Sequence, residues 1–278
     1  MLKQRVITAL VLGVLLLGAM FWLPALGWAA LVLVVVMLGA NEWGRLAKLS
    51  GIGFAAYVTL TSAAMAGVIG YSLAGGRNIV LVQLAIYALA ALFWLAVAPL
   101  WLWLGWHPRR YVLVVAGWLV LIPAGLAMYD LRAESPFLLL FFLGLVWMAD
   151  TAAYFAGKKF GKHKLAPSIS PGKTWEGAAG AILGVTVYVV MVGWFAQHMR
   201  GYLEFLVAIA ASWVLVAISV EGDLFESGIK RQAGVKDSGA LLPGHGGMLD
   251  RIDALTSALP FAGFAVALGK LLSDFGCG

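Results

Sequence analysis

The sequence predicts an all-α integral membrane protein, a multi-span bundle of about nine transmembrane helices with its N-terminus in the cytoplasm. Three observations support this fold class: 63% of the residues are hydrophobic, only 12% are charged, and the mean hydropathy is strongly positive. A soluble chain of 278 residues needs a polar exterior, and so few charged side chains do not cover one. Lipid is therefore expected to surround the protein.

Nine apolar segments are each close to the length needed to cross a bilayer as a helix. They lie at roughly residues 6–22, 25–40, 54–74, 79–98, 111–129, 136–156, 175–196, 203–221 and 252–272. Pro24 and Gly27 leave a tight connection between the first two segments, which predicts a helical hairpin. A cleavable signal peptide is the alternative for the first segment, but no small-residue cleavage site ends it, and we interpret it as a retained helix.

The distribution of Lys and Arg predicts the topology independently, because these residues collect in cytoplasmic loops. With nine spans and a cytoplasmic N-terminus, all but four of the 19 cations face the cytoplasm. The exceptions are Arg77, Arg132, Arg200 and Lys270. The net charge of +6 is spread along membrane edges, so it indicates anionic bilayer lipids as partners and not nucleic acid. Tryptophans near span ends are interpreted as interfacial anchors: Trp22, Trp28, Trp43, Trp106 and Trp175.

The loops divide the chain into two regions. Residues 1–135 have short loops and few charges, as expected of a scaffold of transmembrane helices. Residues 136–278 contain two long, charged cytoplasmic connections, 157–173 and 222–251. We therefore expect any chemistry in the second region, at the cytoplasmic face of the inner membrane. The lone cysteine, Cys277, excludes an intrachain disulfide and a cysteine metal cluster.

The first charged connection indicates an anion site. Ser170 followed by Pro171 fits the start of a helix, with Thr174 as the competing cap. Either choice places Lys173 in or beside the first turn of the seventh span, where the helix dipole disfavours a cation. A bound phosphate would relieve this. The letters GKT do not indicate a P-loop, because position 167 is Pro where that motif requires Gly, and no strand is expected before it.

Asp150 and Tyr154 lie four residues apart near the cytoplasmic end of the sixth span, on one helix face. An ionisable group inside a span is costly, and by default it marks a site or a buried pair. A structural salt bridge to a neighbouring lysine is an equally good interpretation.

Two pairs of carboxylates flank the second charged connection. Asp223 and Glu226 are three residues apart, as are Asp250 and Asp253, so each pair shares a helix face. Like charges held together favour a cation between them, and Mg²⁺ suits this arrangement better than zinc or calcium. For Asp250 and Asp253, compensation of a helix dipole is the alternative interpretation.

Between the two pairs lie cations and glycines that fit a polyphosphate. Lys230, Arg231 and Lys236 can neutralise its charge, and the glycines of the PGHGG turn let backbone amides approach it closely. Together these parts predict a nucleotide-triphosphate site without a Walker fold. His245 is a candidate general base, but a phosphate acceptor is largely ionised already, so we favour a hydrogen-bonding or loop-shaping role.

The motifs of the second region resemble those of the phosphatidate cytidylyltransferases, also called CDP-diacylglycerol synthases. The matching signature positions are Ser227, Lys230, Arg231, Lys236, Asp237, His245, Gly246, Gly247, Asp250, Arg251 and Asp253. Residues 150–177 and the run GDLFES (222–227) are also similar. The resemblance implies transfer of CMP from CTP to phosphatidic acid, giving CDP-diacylglycerol and pyrophosphate, with one or two Mg²⁺ ions. It also implies a homodimer, with contacts expected in residues 1–135.

The resemblance assigns a role to each matching residue. The leading expected metal ligands are Asp223 and Asp250, with Asp253 behind them, and these three together with Lys230 form the expected catalytic set. The residues expected to bind CTP and its phosphates are Lys173, Lys230, Arg231, Lys236, His245, Gly246, Gly247 and Arg251. The residues expected near the phosphatidate headgroup are Ser170, Lys173, Asp150 and Tyr154.

Two other functions fit part of the pattern. A secondary transporter also has many spans, but its polar groups lie near the midplane in inverted repeats, whereas here they crowd one edge and no repeat is visible. A CTP-dependent lipid kinase acting on a polyprenol or similar alcohol would share the nucleotide. That enzyme would release CDP instead of pyrophosphate, and its acceptor would need a general base.

Overall fold

The structure is a computed structural model, and it describes residues 2–76, 78–196, 201–241 and 246–274. Helices dominate these ranges. The elements in chain order are α1 (Leu2–Trp22), α2 (Ala25–Leu46), α3 (Gly51–Leu73), α4 (Ile79–Leu92), a π-helical segment (Phe93–Val97), α5 (Ala98–Leu104), α6 (Arg110–Glu134), α7 (Pro136–Phe160), β1 (Lys164–Ala166), β2 (Ser170–Thr174), α8 (Trp175–Ala196), α9 (Tyr202–Ala233) and α10 (Leu249–Asp274).

The helices confirm the predicted all-α, multi-span membrane protein. Helix α4, the π-helical segment and α5 form one continuous rod, so the described residues contain nine helical rods. Eight of them are long and apolar enough to cross a membrane, and α1 contributes a shorter apolar stretch, Leu10–Trp22. The chain is therefore a multi-pass membrane protein.

Several helices extend further than the hydropathy pattern predicts, most notably two that carry charged residues. Helix α2 continues to Leu46, and α9 continues to Ala233, although the predicted spans end near residues 40 and 221. Several charged residues that we assigned to loops therefore lie on helices. Helix α9 can continue through its charged segment because Lys230 pairs with Glu226 one turn earlier, which offsets the cost of both charges.

The connection between α7 and α8 forms a β-hairpin that the sequence analysis did not predict. Strand β1 pairs antiparallel with β2, and Ala166 lies opposite Ser170. The expected helix start at Ser170 was therefore wrong, and so was the expected absence of a strand next to GKT. The competing cap is correct, because Thr174 Oγ1 accepts a hydrogen bond of 3.1 Å from Gly177 N in the first turn of α8.

Small residues bring α7 and α8 into close contact and so fix the ends of this hairpin. A Cβ atom at Gly180 would collide with Ala156, and one at Gly184 would collide with Ala152. Glycine and alanine at such spacing let membrane helices approach closely where lipid offers no hydrophobic driving force.

An aromatic cluster holds α9 against the first half of the chain. The ring of Phe225 lies 5.2 Å from that of Trp101, 5.5 Å from that of Trp94 and 6.4 Å from that of Trp43, measured between centroids.

The interpretation of Trp43 as an interfacial anchor was therefore wrong. Trp28 is also buried, whereas the other three predicted anchors are exposed. Residues before and after 135 share one hydrophobic core.

Candidate functional site

At one end of the bundle, ionisable side chains from five elements form a continuous charged cluster. They come from α2, α7, β2, α9 and α10, and several lie on otherwise apolar helices, where an unpaired charge is costly. The members of the cluster are Glu42, Asp150, Lys173, Asp223, Glu226, Lys230, Asp250 and Asp253.

Lys230 ties α9 to the start of α10. Its side chain is almost fully buried, and its Nζ donates to Glu226 Oε2 at 3.1 Å and to Asp250 Oδ1 at 2.6 Å. A buried ammonium is tolerated only with close carboxylate partners. The structure thus brings together two predicted catalytic residues, Lys230 and Asp250, as an ion pair.

Protein donors engage both carboxylate oxygens of Asp250. Oδ1 accepts from Lys230, and Oδ2 accepts from Gly247 N at 2.7 Å and from Ser238 N at 3.0 Å. Gly246 has a φ of +83°, and a Cβ atom there would lie 2.5 Å from Asp250 Oδ2, so this position requires glycine. Asp250 therefore joins the two ends of the segment from Ser238 to Gly247.

Lys173 reaches α9 from strand β2. Its Nζ donates to Asp223 Oδ2 at 2.8 Å and to the carbonyl of Val220 at 3.0 Å. Lys173 lies beside α8, as expected, but its described partners are a carboxylate and a carbonyl. Both side chains of the ion pair are partly exposed, so the pair lies towards the open end of the cluster.

The acidic side chains of the cluster are incompletely compensated. The carboxylates of Asp223 and Glu226 both repel that of Asp253, and the carboxylate of Asp223 also repels that of Asp150. Glu226 Oε1 is buried and has no hydrogen-bond donor among the residues that the structure describes. An orphaned carboxylate oxygen next to other carboxylates is chemically suited to a cation.

Other predicted site residues occupy different surroundings. The side chains of Arg231, Lys236 and Arg251 are exposed. The ring of Tyr154 is 61% exposed and lies under Lys158, whose Nζ is 5.7 Å from the ring centroid. Ser170 belongs to β2 and is partly exposed. The backbone N–H of Gly247 already donates to Asp250. His245 lies outside the described residues.

Sequence reasoning missed Glu42 and Ser238. Glu42 is 5% exposed, and its carboxylate accepts from Ser238 Oγ at 2.7 Å, Met248 N at 2.8 Å and Leu249 N at 2.9 Å. The signal for Glu42 was an acidic residue within one turn of an apolar span. Ending that span near residue 40 placed Glu42 in a loop and hid the signal. Nothing in the sequence marks Ser238.

A cavity among the described residues lies apart from this cluster. Its volume is about 960 Å³, and it lies between α7 and α8, with mainly apolar side chains such as Phe155, Leu183 and Phe195 around it. In a membrane protein such a groove faces lipid, and no member of the charged cluster lines it.

A family model and several relatives all relate this chain to cytidylyltransferases. The model of the cytidylyltransferase family matches residues 3–268. A Pseudomonas aeruginosa protein named phosphatidate cytidylyltransferase is 40% identical, over 97% of this chain and 98% of its own length. Proteins of the same name from Haemophilus influenzae and Brucella suis are 37% and 35% identical, over 94% and 92% of this chain and 97% and 90% of their own lengths.

Proposed function

The chain belongs to the cytidylyltransferase family, and we propose that it transfers the CMP moiety of CTP to phosphatidic acid, giving CDP-diacylglycerol and pyrophosphate for phospholipid biosynthesis. The observation that carries this proposal is the charged cluster at one end of an apolar bundle. A lipid whose acyl chains stay in the bilayer can meet a water-soluble nucleotide only where charged groups reach a membrane edge.

The reaction joins two anions, so its main requirement is positioning and charge neutralisation. An oxygen of the phosphatidate phosphate attacks the α phosphorus of CTP. The bond between the α phosphorus and the bridging oxygen to the β phosphate breaks, and pyrophosphate leaves in line with the attacking oxygen. The acceptor oxygen is already largely ionised near neutral pH, so no general base is needed.

Lysines of the cluster supply positive charge at two depths. Lys230 is buried and held in place by Glu226 and Asp250, so it provides a fixed charge for the reacting phosphates. Lys173 is closer to the opening and sits next to Asp150, which suits contact with the phosphatidate headgroup. The exposed Arg231, Lys236 and Arg251 are available for the rest of the triphosphate.

The acidic residues of the cluster fit one or two Mg²⁺ ions. The described residues contain no group of three converging His, Cys, Asp or Glu side chains. Mg²⁺ does not require one, because it binds one or two carboxylates together with substrate phosphates and waters. Asp223 and Asp253 are the leading ligands, because their carboxylates repel each other and a cation between them would relieve the repulsion. Glu226 Oε1, which lacks a donor within the described part of the chain, adds negative charge beside them.

Asp250 is the third proposed metal ligand, although its oxygens already accept bonds from Lys230, Ser238 and Gly247. A Mg²⁺ ion held by these carboxylates would supply positive charge to the α phosphate and to the leaving pyrophosphate.

The orientation of the protein is also a proposal. The excess of Lys and Arg in the loops at the charged end supports an active site on the cytoplasmic face of the inner membrane. Several expectations taken from the family resemblance remain predictions. They are the ligand role of His245, the headgroup contacts of Ser170 and Tyr154, and the homodimer.

The products of labelled CTP test the proposed reaction. We expect purified protein in phosphatidate-containing vesicles to move the α phosphate of CTP into lipid and to release pyrophosphate. Transfer of the γ phosphate into lipid with release of CDP would instead identify a lipid kinase. Ion flux through the vesicle membrane without nucleotide consumption would identify a transporter.

A further inference from the structure

Glu42 lies in residues 1–135, which contribute no residue to the predicted catalytic set. Its carboxylate nevertheless contacts both ends of the segment from Ser238 to Leu249. It accepts from Ser238 Oγ on one side of that segment and from the backbone of Met248 and Leu249 on the other. Glycines make room for it, because a Cβ atom at Gly247 would collide with the Glu42 carboxylate.

The backbone partners of Glu42 are donors at the start of α10. The first amides of a helix have no acceptor within the helix, and the helix dipole favours a negative charge there. Helix α10 begins at Leu249, so Glu42 caps it from a helix about 200 residues earlier in the chain. A buried carboxylate with several amide donors is held firmly in one position.

Glu42 itself sits on a rigid support. Its neighbour Trp43 donates from Nε1 to the carbonyl of Leu113 at 2.7 Å, and the Trp43 ring stacks on Phe225 with a centroid distance of 6.4 Å. These contacts tie α2 to both α6 and α9. The carboxylate of Glu42 therefore has a fixed place relative to the helix that carries Lys230.

Ser238 connects Glu42 to Asp250. The Ser238 hydroxyl donates to Glu42 Oε2 at 2.7 Å, and the backbone N–H of the same residue donates to Asp250 Oδ2 at 3.0 Å. Asp250 in turn holds Lys230. A continuous series of hydrogen bonds therefore runs from Glu42 through Ser238 and Asp250 to Lys230.

We infer that Glu42 is a positioning residue for the proposed reaction. It fixes Ser238 and the start of α10, and through them the places of Asp250 and Lys230, without touching substrate itself. This inference rests on the proposed function and adds a residue from the predicted scaffold to the catalytic machinery. A misplacement of about 1 Å at a reacting centre is enough to slow a reaction about 100-fold.

The test compares Glu42→Gln with Asp130→Asn. Glutamine keeps the size of Glu42 but removes its charge and turns one acceptor into a donor facing other donors. Asp130 is a matched control, since it is an acidic residue between helices that accepts from Tyr87 at 2.6 Å and lies near Lys270, at the other end of α10. We expect kcat/KM for CTP to fall about 10- to 100-fold in Glu42→Gln, and to stay within about twofold of wild type in Asp130→Asn.

Hydrogen exchange measures the positioning without relying on activity. In Glu42→Gln, the amides of Ser238 and of residues 247–250 are expected to exchange faster, with the amount of folded protein matching that of the control. Ser238→Ala is expected to be non-additive with Glu42→Gln, because both interrupt the same series of hydrogen bonds.

Two results overturn the inference: unchanged exchange at these amides in Glu42→Gln, or an activity loss that only tracks the loss of folded protein. A wild-type protein that makes no CDP-diacylglycerol would overturn the proposed function instead. The exchange comparison would still decide whether Glu42 positions the segment.

Discussion

Acidic side chains lie between helices at both ends of this helical bundle, but their surroundings differ. Asp130 lies between α4 and α6, where the Tyr87 hydroxyl donates to it at 2.6 Å, and neighbouring Glu134 pairs with Lys270. At the charged end, Asp223 and Glu226 repel Asp253, and Glu226 Oε1 has no donor within the described ranges. Asp130 is partly buried and has a hydroxyl donor and a nearby lysine, as expected of a residue that joins helices. A crowded and incompletely satisfied set of carboxylates is instead suited to binding a charged ligand.

Replacing Asp250 should give the largest effect. Asp250→Asn is expected to lower CDP-diacylglycerol formation at least about 100-fold, because buried Lys230 loses a charged partner and the start of α10 loses a charged acceptor. Turnover should be measured per amount of folded, membrane-inserted protein. Near wild-type turnover would remove Asp250 from the catalytic machinery.

Metal binding should distinguish the two ends without any turnover. If Mg²⁺ binds only the folded charged end, saturating Mg²⁺ at about 100 times its Kd stabilises the protein by about 2.7 kcal/mol. Thermal unfolding with and without a chelator measures this shift. Asp253→Asn should abolish the shift and Asp130→Asn should preserve it; the reverse pattern would place the metal elsewhere.

Lys173 should affect activity much more than stability. Lys173→Gln is expected to reduce kcat/KM for phosphatidate about tenfold, since a phosphate loses a cationic partner. Its ion pair with Asp223 is partly exposed, so the free energy of unfolding should change by less than about 1 kcal/mol. Kinetics at varied phosphatidate measure kcat/KM, and denaturation measures the free energy of unfolding. A lysine with a purely structural role would lower the free energy of unfolding and leave kcat/KM per folded protein unchanged.

The smallest effect on activity is expected at the other end of the bundle. Tyr87→Phe removes the hydrogen bond to Asp130 and should destabilise the protein by about 1–3 kcal/mol. Its turnover per folded protein should match wild type. A clear loss of turnover would show that the contact between Tyr87 and Asp130 contributes to catalysis at the charged end.

The sequence predicted the helices well because crossing a bilayer requires long apolar segments, and each of the nine helical rods in the described residues corresponds to one. It also placed Asp223, Lys230, Asp250 and Asp253 at one site, although it did not predict the ion pair between Lys230 and Asp250. Lys230 and Asp250 are 20 positions apart, and both lie at the ends of helices facing one connection.

The features that the sequence did not predict depend on tertiary contacts. Glu42 meets Leu249 across 207 positions, and no local pattern records such a contact. The β-hairpin also escaped prediction, because Ser170 and Pro171 have the composition of a helix start. The close packing of α7 on α8 sets how far apart the ends of that connection lie.

The most direct test of the account is the CTP-dependent formation of CDP-diacylglycerol by Asp223→Asn and Asp130→Asn, each compared with wild type at equal amounts of folded protein. We expect the activity of Asp223→Asn to fall at least about 100-fold and that of Asp130→Asn to match wild type. Full activity in Asp223→Asn, or a comparable loss in both variants, would contradict the assignment of catalysis to the charged end.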